Sequence, residues 1–135
     1  MRYNGEMKNT KNFWRVGKVV DWWSIPHFLF GVVMALGALV FAWPLPFAFV
    51  GTFAIAFMWE KFERSIRIQE AKENSRMDIL LPLLAFGITI FLMNQMPSRT
   101  DEDEQTFFLT AVFLYLFLNF IAWRAKLEND REFQG

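Results

Sequence analysis

The chain has no cysteine and a single histidine, His27. Without cysteine there can be no disulfide, no thiolate metal ligand and no cysteine-held iron–sulfur cluster. A lone histidine excludes a bis-histidine haem within one copy. The sequence also lacks a Walker phosphate loop, a GxGxxG turn and a GxSxG elbow, so the motif-borne nucleotide and serine-hydrolase chemistries are missing. No internal repeat marks the inverted halves of a transporter. Net charge is zero, from 14 Lys and Arg against 14 Asp and Glu, and no nucleic-acid partner is expected.

Apolar length is what the chain has in plenty. Hydrophobic residues make up 54% of a 16.0 kDa protein, which leaves no room for a soluble catalytic domain. Apolar stretches run over 24–43, 46–59, 79–96 and 106–123, most of them near the ~20 residues that cross a ~30 Å hydrocarbon core. The second is short on its apolar residues alone. Its helix is therefore expected to continue through Glu60 and Glu63, giving spans of about 24–43, 46–63, 77–96 and 106–123. The expectation is an all-α, polytopic membrane protein: a four-helix transmembrane domain over 21–124, preceded by a polar, basic segment over 1–20 and followed by a charged tail over 125–135. The first apolar run starts late and is too long for an h-region, so no cleavable signal peptide is expected. The 17 Phe suit lipid-facing surface, and the 6 Trp fall mostly at expected interfaces, as in an aromatic belt.

Basic residues set the expected orientation. Arg2, Lys8, Lys11, Arg15 and Lys18 precede the first span. Lys61, Arg64, Arg67, Lys72 and Arg76 lie between the second and third, and Arg124, Lys126 and Arg131 follow the fourth. Only Arg99 falls on the other side. The positive-inside rule then places both termini in the cytoplasm, with the WPLP turn and the acidic PSRTDEDE loop outside. An inner (cytoplasmic) membrane location with membrane lipids as neighbours follows.

Against this apolar background a few polar residues recur at one depth. At about 1.5 Å per residue, His27 lies ~24 Å below Trp43, Glu60 ~21 Å below Pro46, Asp78 ~26 Å below Gln95, and Asn119 ~20 Å below Thr106. Glu63 is one turn further out. Such groups are expensive in a bilayer, so their coincidence reads as a shared site near the cytoplasmic boundary. The helical faces agree with this. His27, Gly31 and Ala35 form one i+4 row, and Ala48, Thr52, Ala56 and Glu60 form another; small-residue rows of this kind are where membrane helices approach closely. Asp78 shares a looser row with Pro82, Ala85 and Thr89, and Asn119 follows Ala111 and Tyr115.

Structural explanations stand beside the functional one. Ser24 followed by Pro26 looks like a helix start with Ser24 as N-cap, which would make His27 an ordinary first-turn residue. Ser75 to Asp78 has the spacing of a capping box, giving Asp78 a backbone N–H to satisfy. The charges from Glu60 to Glu73, Glu63 and Glu70 among them, could form a solvated helix extension laced with i,i+3 and i,i+4 pairs. If the layer is a site, an imidazole with two or three carboxylates suits a divalent metal such as Zn, Mn or Fe. It suits equally a proton relay, or a general base acting on a lipid headgroup. His27, Glu60, Glu63 and Asp78 are the candidate catalytic or metal-ligating residues. Arg64 or Arg67 would balance the carboxylates.

The elements DWWSIPHFLFG (Asp21 to Gly31), WEKFE (Trp59 to Glu63) and ENSRMDILLPLLAFG (Glu73 to Gly87), in that order, resemble the VanZ-like superfamily of small bacterial membrane proteins. The resemblance covers about residues 19–90. It implies a shared polar set of Asp21, His27, Glu60, Glu63, Asn74 and Asp78, and a family association with glycopeptide (teicoplanin) resistance. This chain departs from the pattern in its Phe-rich helices and in lacking a clear second Gly after Gly87.

Two function classes follow, for a protein of bacterial or phage origin. One is a membrane-embedded enzyme or metal-binding protein whose cytoplasmic-side site acts on an envelope lipid or lipid-linked substrate. The other is a non-enzymatic membrane component, holin-like or an accessory subunit, whose small-residue rows bind a partner subunit or a second copy. The second class predicts sensitivity at Gly31, Ala35, Ala48 and Ala56 with tolerance at Glu60; the first predicts loss of activity at Glu60.

Overall fold

The computed structural model describes residues 23–66 and 72–134, with the side chains of 72–74 and 128–134 outside the described set. Four α-helices follow in order: α1 (Ser24–Val40), α2 (Leu45–Ser65), α3 (Lys72–Asn94) and α4 (Asp101–Gln134). There is no strand among the described residues. Among the described residues the protein is all-helical, as the apolar pattern led one to expect. Leu45–Ser65, Ser75–Asn94 and Asp101–Leu127 are long and apolar enough to cross a membrane, whereas α1 is apolar but has only 17 residues.

Several boundaries differ from the sequence expectation: α3 and α4 start earlier, at Lys72 and Asp101, and two helix ends fall elsewhere. α1 stops at Val40 instead of running to Trp43, because the chain closes on itself there. The N–H groups of Phe41, Ala42 and Trp43 donate to the carbonyls of Gly37, Leu39 and Ala38 at 2.9, 3.1 and 2.8 Å. Ala42 takes the left-handed position of this C-terminal cap at φ 51°, where glycine is usual. Pro44 then caps α2 and Pro46 sits in its first turn, where a missing N–H removes nothing the helix needs. At the other end α4 runs on through Gln134, so residues expected as a tail are helical. Its start is fixed by a reciprocal cap: Asp103 accepts from the Thr100 backbone N–H at 2.8 Å, and the Thr100 hydroxyl accepts from the Asp103 N–H at 3.2 Å. Arg99 ties the ends of α3 and α4 together, donating to the Met93 carbonyl and pairing with Glu104 at 2.6 Å.

α1 is the central element, packed on α2, α3 and α4, while α3 also packs on α2; α4 meets the bundle through α1. Small residues make this arrangement possible. Gly31 lies against α3 so closely that a Cβ there would come within 2.0 Å of the Pro82 carbonyl oxygen. Ala35, Ala38, Ala48 and Phe86 form one buried cluster between α1, α2 and α3, and Leu36, Met93 and Ala111 a second that brings in α4. Thr52 is fully buried and returns its hydroxyl to the Ala48 carbonyl at 2.8 Å, which removes its polarity from the interface.

The outer surface is the reverse of a soluble protein's. Phe47, Phe53, Phe91, Phe113, Phe117 and Phe120 are exposed, along with Val50, Met58, Leu109 and Leu116. Only 11% of the most apolar window of α4 is buried inside the protein. Exposed apolar area on this scale marks a membrane or interaction surface. Together with three helices long and apolar enough to cross a membrane, it supports a membrane protein.

Candidate functional site

The antiparallel order of the helices brings the start of α1, the end of α2 and the start of α3 to the same end of the bundle. His27, Glu60 and Asp78 come from those three places, and one ligand atom from each lies within 4.8 Å of the others. Asp78 is 1% exposed and Glu60 3%. His27 Nε2 stands 3.8 Å from Asp78 Oδ2, an ion-pair distance when the imidazole is protonated and too long for a hydrogen bond. Close approach at Gly31 and Pro82, one turn inward on each helix, is what holds His27 and Asp78 face to face.

Ser75 supplies the other support. Its hydroxyl donates to Glu60 Oε2 at 2.5 Å and accepts from Arg64 Nη2 at 2.9 Å, so the guanidinium acts on the carboxylate through one buried hydroxyl. The second Glu60 oxygen, Oε1, is buried without a hydrogen-bond partner among the described residues. When ionised, two carboxylates withdrawn from water need compensating charge, since taking ions out of water costs far more than taking out neutral groups. Arg64, a protonated His27 or a cation can provide it.

Several local expectations change here. α3 starts at Lys72, three residues before Ser75, so Ser75 is not an N-cap and the capping-box reading of Asp78 fails. Its spacing is instead a helical one that turns both side chains into the bundle. Ser24 is the first residue of α1 and not its cap; Trp23 holds the cap position, with no side-chain cap bond. Glu60 and Glu63 do not belong to a solvated helix extension, because both are buried. Asp21, Arg67 and Glu70, and the side chains of Glu73 and Asn74, lie outside the described residues.

The expected layer is in fact two neighbouring features. Glu63 and Asn119 do not join the Glu60 and Asp78 carboxylates. With His27, which belongs to both features, they line a cavity of about 60 Å³ between α1, α2 and α4. Glu63, 8% exposed, accepts from Trp59 Nε1 at 2.8 Å. Asn119 is satisfied within its own helix, donating to the Tyr115 carbonyl at 2.8 Å. Sequence reasoning missed the other walls. Trp23, Trp59 and Trp123 read as belt residues, yet all three converge on this cavity. The Trp123 ring meets Trp23 at 5.9 Å and 78° and Trp59 at 6.4 Å and 85°. The helical offset of Trp59 from Glu63, i to i+4, was the one available sequence signal for this pairing. Trp43, by contrast, lies half-exposed at the opposite end of the bundle, where a belt residue belongs.

Compared with known protein families, curated proteins and solved structures, the chain matches none of them.

Proposed function

We propose that the protein is a four-span, VanZ-like membrane protein of the inner membrane, with both termini cytoplasmic, whose His27, Glu60 and Asp78 bind a divalent metal ion at the cytoplasmic side. The observation that carries this is the convergence of three metal-competent groups from three helices within 4.8 Å, two of them carboxylates withdrawn from water. A tetrahedral ion with bonds of 2.0–2.2 Å holds its ligand atoms about 3.4 Å apart. His27 and Asp78 stand at 3.8 Å, and one ligand atom from each of the three residues lies within 4.8 Å of the others. One imidazole with carboxylates favours Zn, Mn or Fe over Ca or Mg.

The surrounding residues fit a tuned ligand set. Ser75 and Arg64 orient Glu60 as outer partners orient ligating carboxylates in metal sites. A bound divalent ion would polarise a phosphoryl or carbonyl oxygen, or acidify a bound water. An envelope lipid or lipid-linked molecule is the substrate class that the membrane position favours. The assembly reading draws less support, because Gly31, Ala35, Ala48 and Ala56 are buried in contacts inside the chain and are not offered to a partner.

The test is elemental analysis of detergent-purified protein by inductively coupled plasma mass spectrometry, wild type against the double variant His27→Ala, Glu60→Gln at equal monodispersity. Near-stoichiometric metal in the wild type, lost in the variant, is expected. Metal-free wild type after purification in metal-supplemented buffer overturns the metal centre.

A further inference from the structure

We propose that the group bound at the His27, Glu60 and Asp78 centre is a phosphate, held jointly by the metal ion and by the guanidinium of Arg64. The inference rests on the metal reading above and deepens it, naming the chemistry of the ligand and the residue that selects it.

Three observations carry it. First, the cluster offers one ligand atom each from His27, Glu60 and Asp78, and an ion held by three protein ligands keeps a further position for water or substrate. Glu60 meets Ser75 through Oε2. Its other oxygen, Oε1, is buried without a hydrogen-bond partner among the described residues, and is left for the ion. Second, Arg64 stands one hydroxyl away from that carboxylate. Its Nη2 donates to Ser75 Oγ at 2.9 Å, and Ser75 Oγ donates to Glu60 Oε2 at 2.5 Å. The bond to Ser75 uses only one of the guanidinium's N–H donors, and Arg64 is an exposed residue. Third, the surroundings favour an anion. Among the described residues the exposed charges at this end of the bundle are Lys61, Arg64, Arg76 and Arg124, whereas the exposed acids Asp101, Glu102 and Asp103 lie at the opposite end. The positive-inside rule accounts for the sign of that end, but not for a guanidinium linked to a buried carboxylate.

Chemistry and depth narrow the ligand. A metal ion and an arginine together are the recurring clamp on phosphoryl groups, with one oxygen on the ion and another on the planar guanidinium fork. A neutral carbonyl would use the ion and leave the guanidinium idle, and a cation would be repelled by the basic end. Arg64 lies one helical turn outward from Glu60, about 6 Å along the axis. At the boundary of the membrane that is the level of lipid headgroups, where arginine side chains meet phosphates. The shared chemistry is a phosphate group, supplied either by a lipid headgroup or by a soluble phosphate.

The test uses the full chain in a phosphorus-free maltoside detergent, loaded with manganese(II) and freed of excess ion. Paramagnetic broadening of the phosphorus resonance of inorganic phosphate, and separately of short-chain phosphatidic acid, reads a phosphate at the bound ion. Saturable broadening is expected for the wild type and none for the double variant His27→Ala, Glu60→Gln. In Arg64→Gln, at equal manganese content, the affinity is expected to fall at least tenfold. Should that variant lose manganese, Arg64→Lys, which keeps the charge without the fork, is expected to retain the ion and bind phosphate several-fold more weakly. Tighter binding of phosphatidic acid than of inorganic phosphate keeps the phosphate site and assigns it a lipid; equal affinity keeps it and assigns a soluble phosphate. Manganese bound with no effect on either phosphorus resonance, affinity unchanged in a manganese-loaded Arg64 variant, or acetate competing as well as phosphate overturns this proposal and leaves the metal centre standing. A wild type that takes up no manganese overturns both.

Discussion

Replacing Gly31 with alanine puts a methyl group where Pro82 already has its backbone. The new Cβ would lie 2.0 Å from the Pro82 carbonyl oxygen and 2.7 Å from both its carbonyl carbon and Cα. Ordinary carbon contacts begin near about 3.5 Å, so α1 and α3 must separate locally by about 1.5 Å. Neither side can yield by rotating a side chain, because the obstacle is main chain on a helix. A gap of 0.5–1 Å already forfeits a quarter to a half of a contact's dispersion energy, and Ala35 and Ala85, both fully buried, lie close by along the same two helices. Overpacking typically costs 1–3 kcal/mol; with backbone on both sides the upper end, about 3 kcal/mol, is expected, a shift of roughly a hundredfold in the folding equilibrium. Gly51→Ala and Gly87→Ala are the controls, since nothing lies within 4 Å of a Cβ at either position. Both should be neutral or stabilised by up to about 1 kcal/mol of helix propensity. The assay is unfolding in mixed detergent micelles, followed by circular dichroism against denaturant for all three variants. A midpoint for Gly31→Ala that coincides with the controls would refute the close α1–α3 approach and, with it, the juxtaposition of His27 and Asp78.

Other consequences are simpler to state. Ser75→Ala removes the hydroxyl that links Arg64 to Glu60 and leaves a buried carboxylate short of a donor; a loss of about 1–3 kcal/mol is expected in the same unfolding assay, and an unchanged midpoint would count against the relay. Ala42→Gly relieves a left-handed alanine at the end of α1 and should raise stability by about 1 kcal/mol, whereas a lower midpoint would show that this cap is not populated.

Much of the arrangement was legible before any helix was placed. The row Ala48, Thr52, Ala56 and Glu60 is buried throughout, because on a helix with lipid on most sides small and polar residues have nowhere else to go. The ends of α1 and α4 were less legible. Ala42 occupies a cap position that glycine usually advertises, and α4 carries charge beyond its apolar span without losing helix, since helical hydrogen bonds do not depend on which solvent surrounds them. Ser75 stayed open between two readings because a serine three residues before an aspartate has the same spacing in a capping box as on the inner face of a helix.

By itself, the sequence determined that this is an all-helical chain with helices apolar enough to cross a membrane, since apolar length and helical rise convert directly into span. The tertiary structure decided which of its titratable groups meet. Depth along a helix says nothing about which neighbour a face will find, and that was settled by α1 taking the centre and α4 packing on α1. It was settled too by the Gly31–Pro82 contact that lets α3 come close enough to bring Asp78 to His27. The same packing set Glu63 apart from Glu60, one turn away on the same helix, and turned it toward three tryptophans instead.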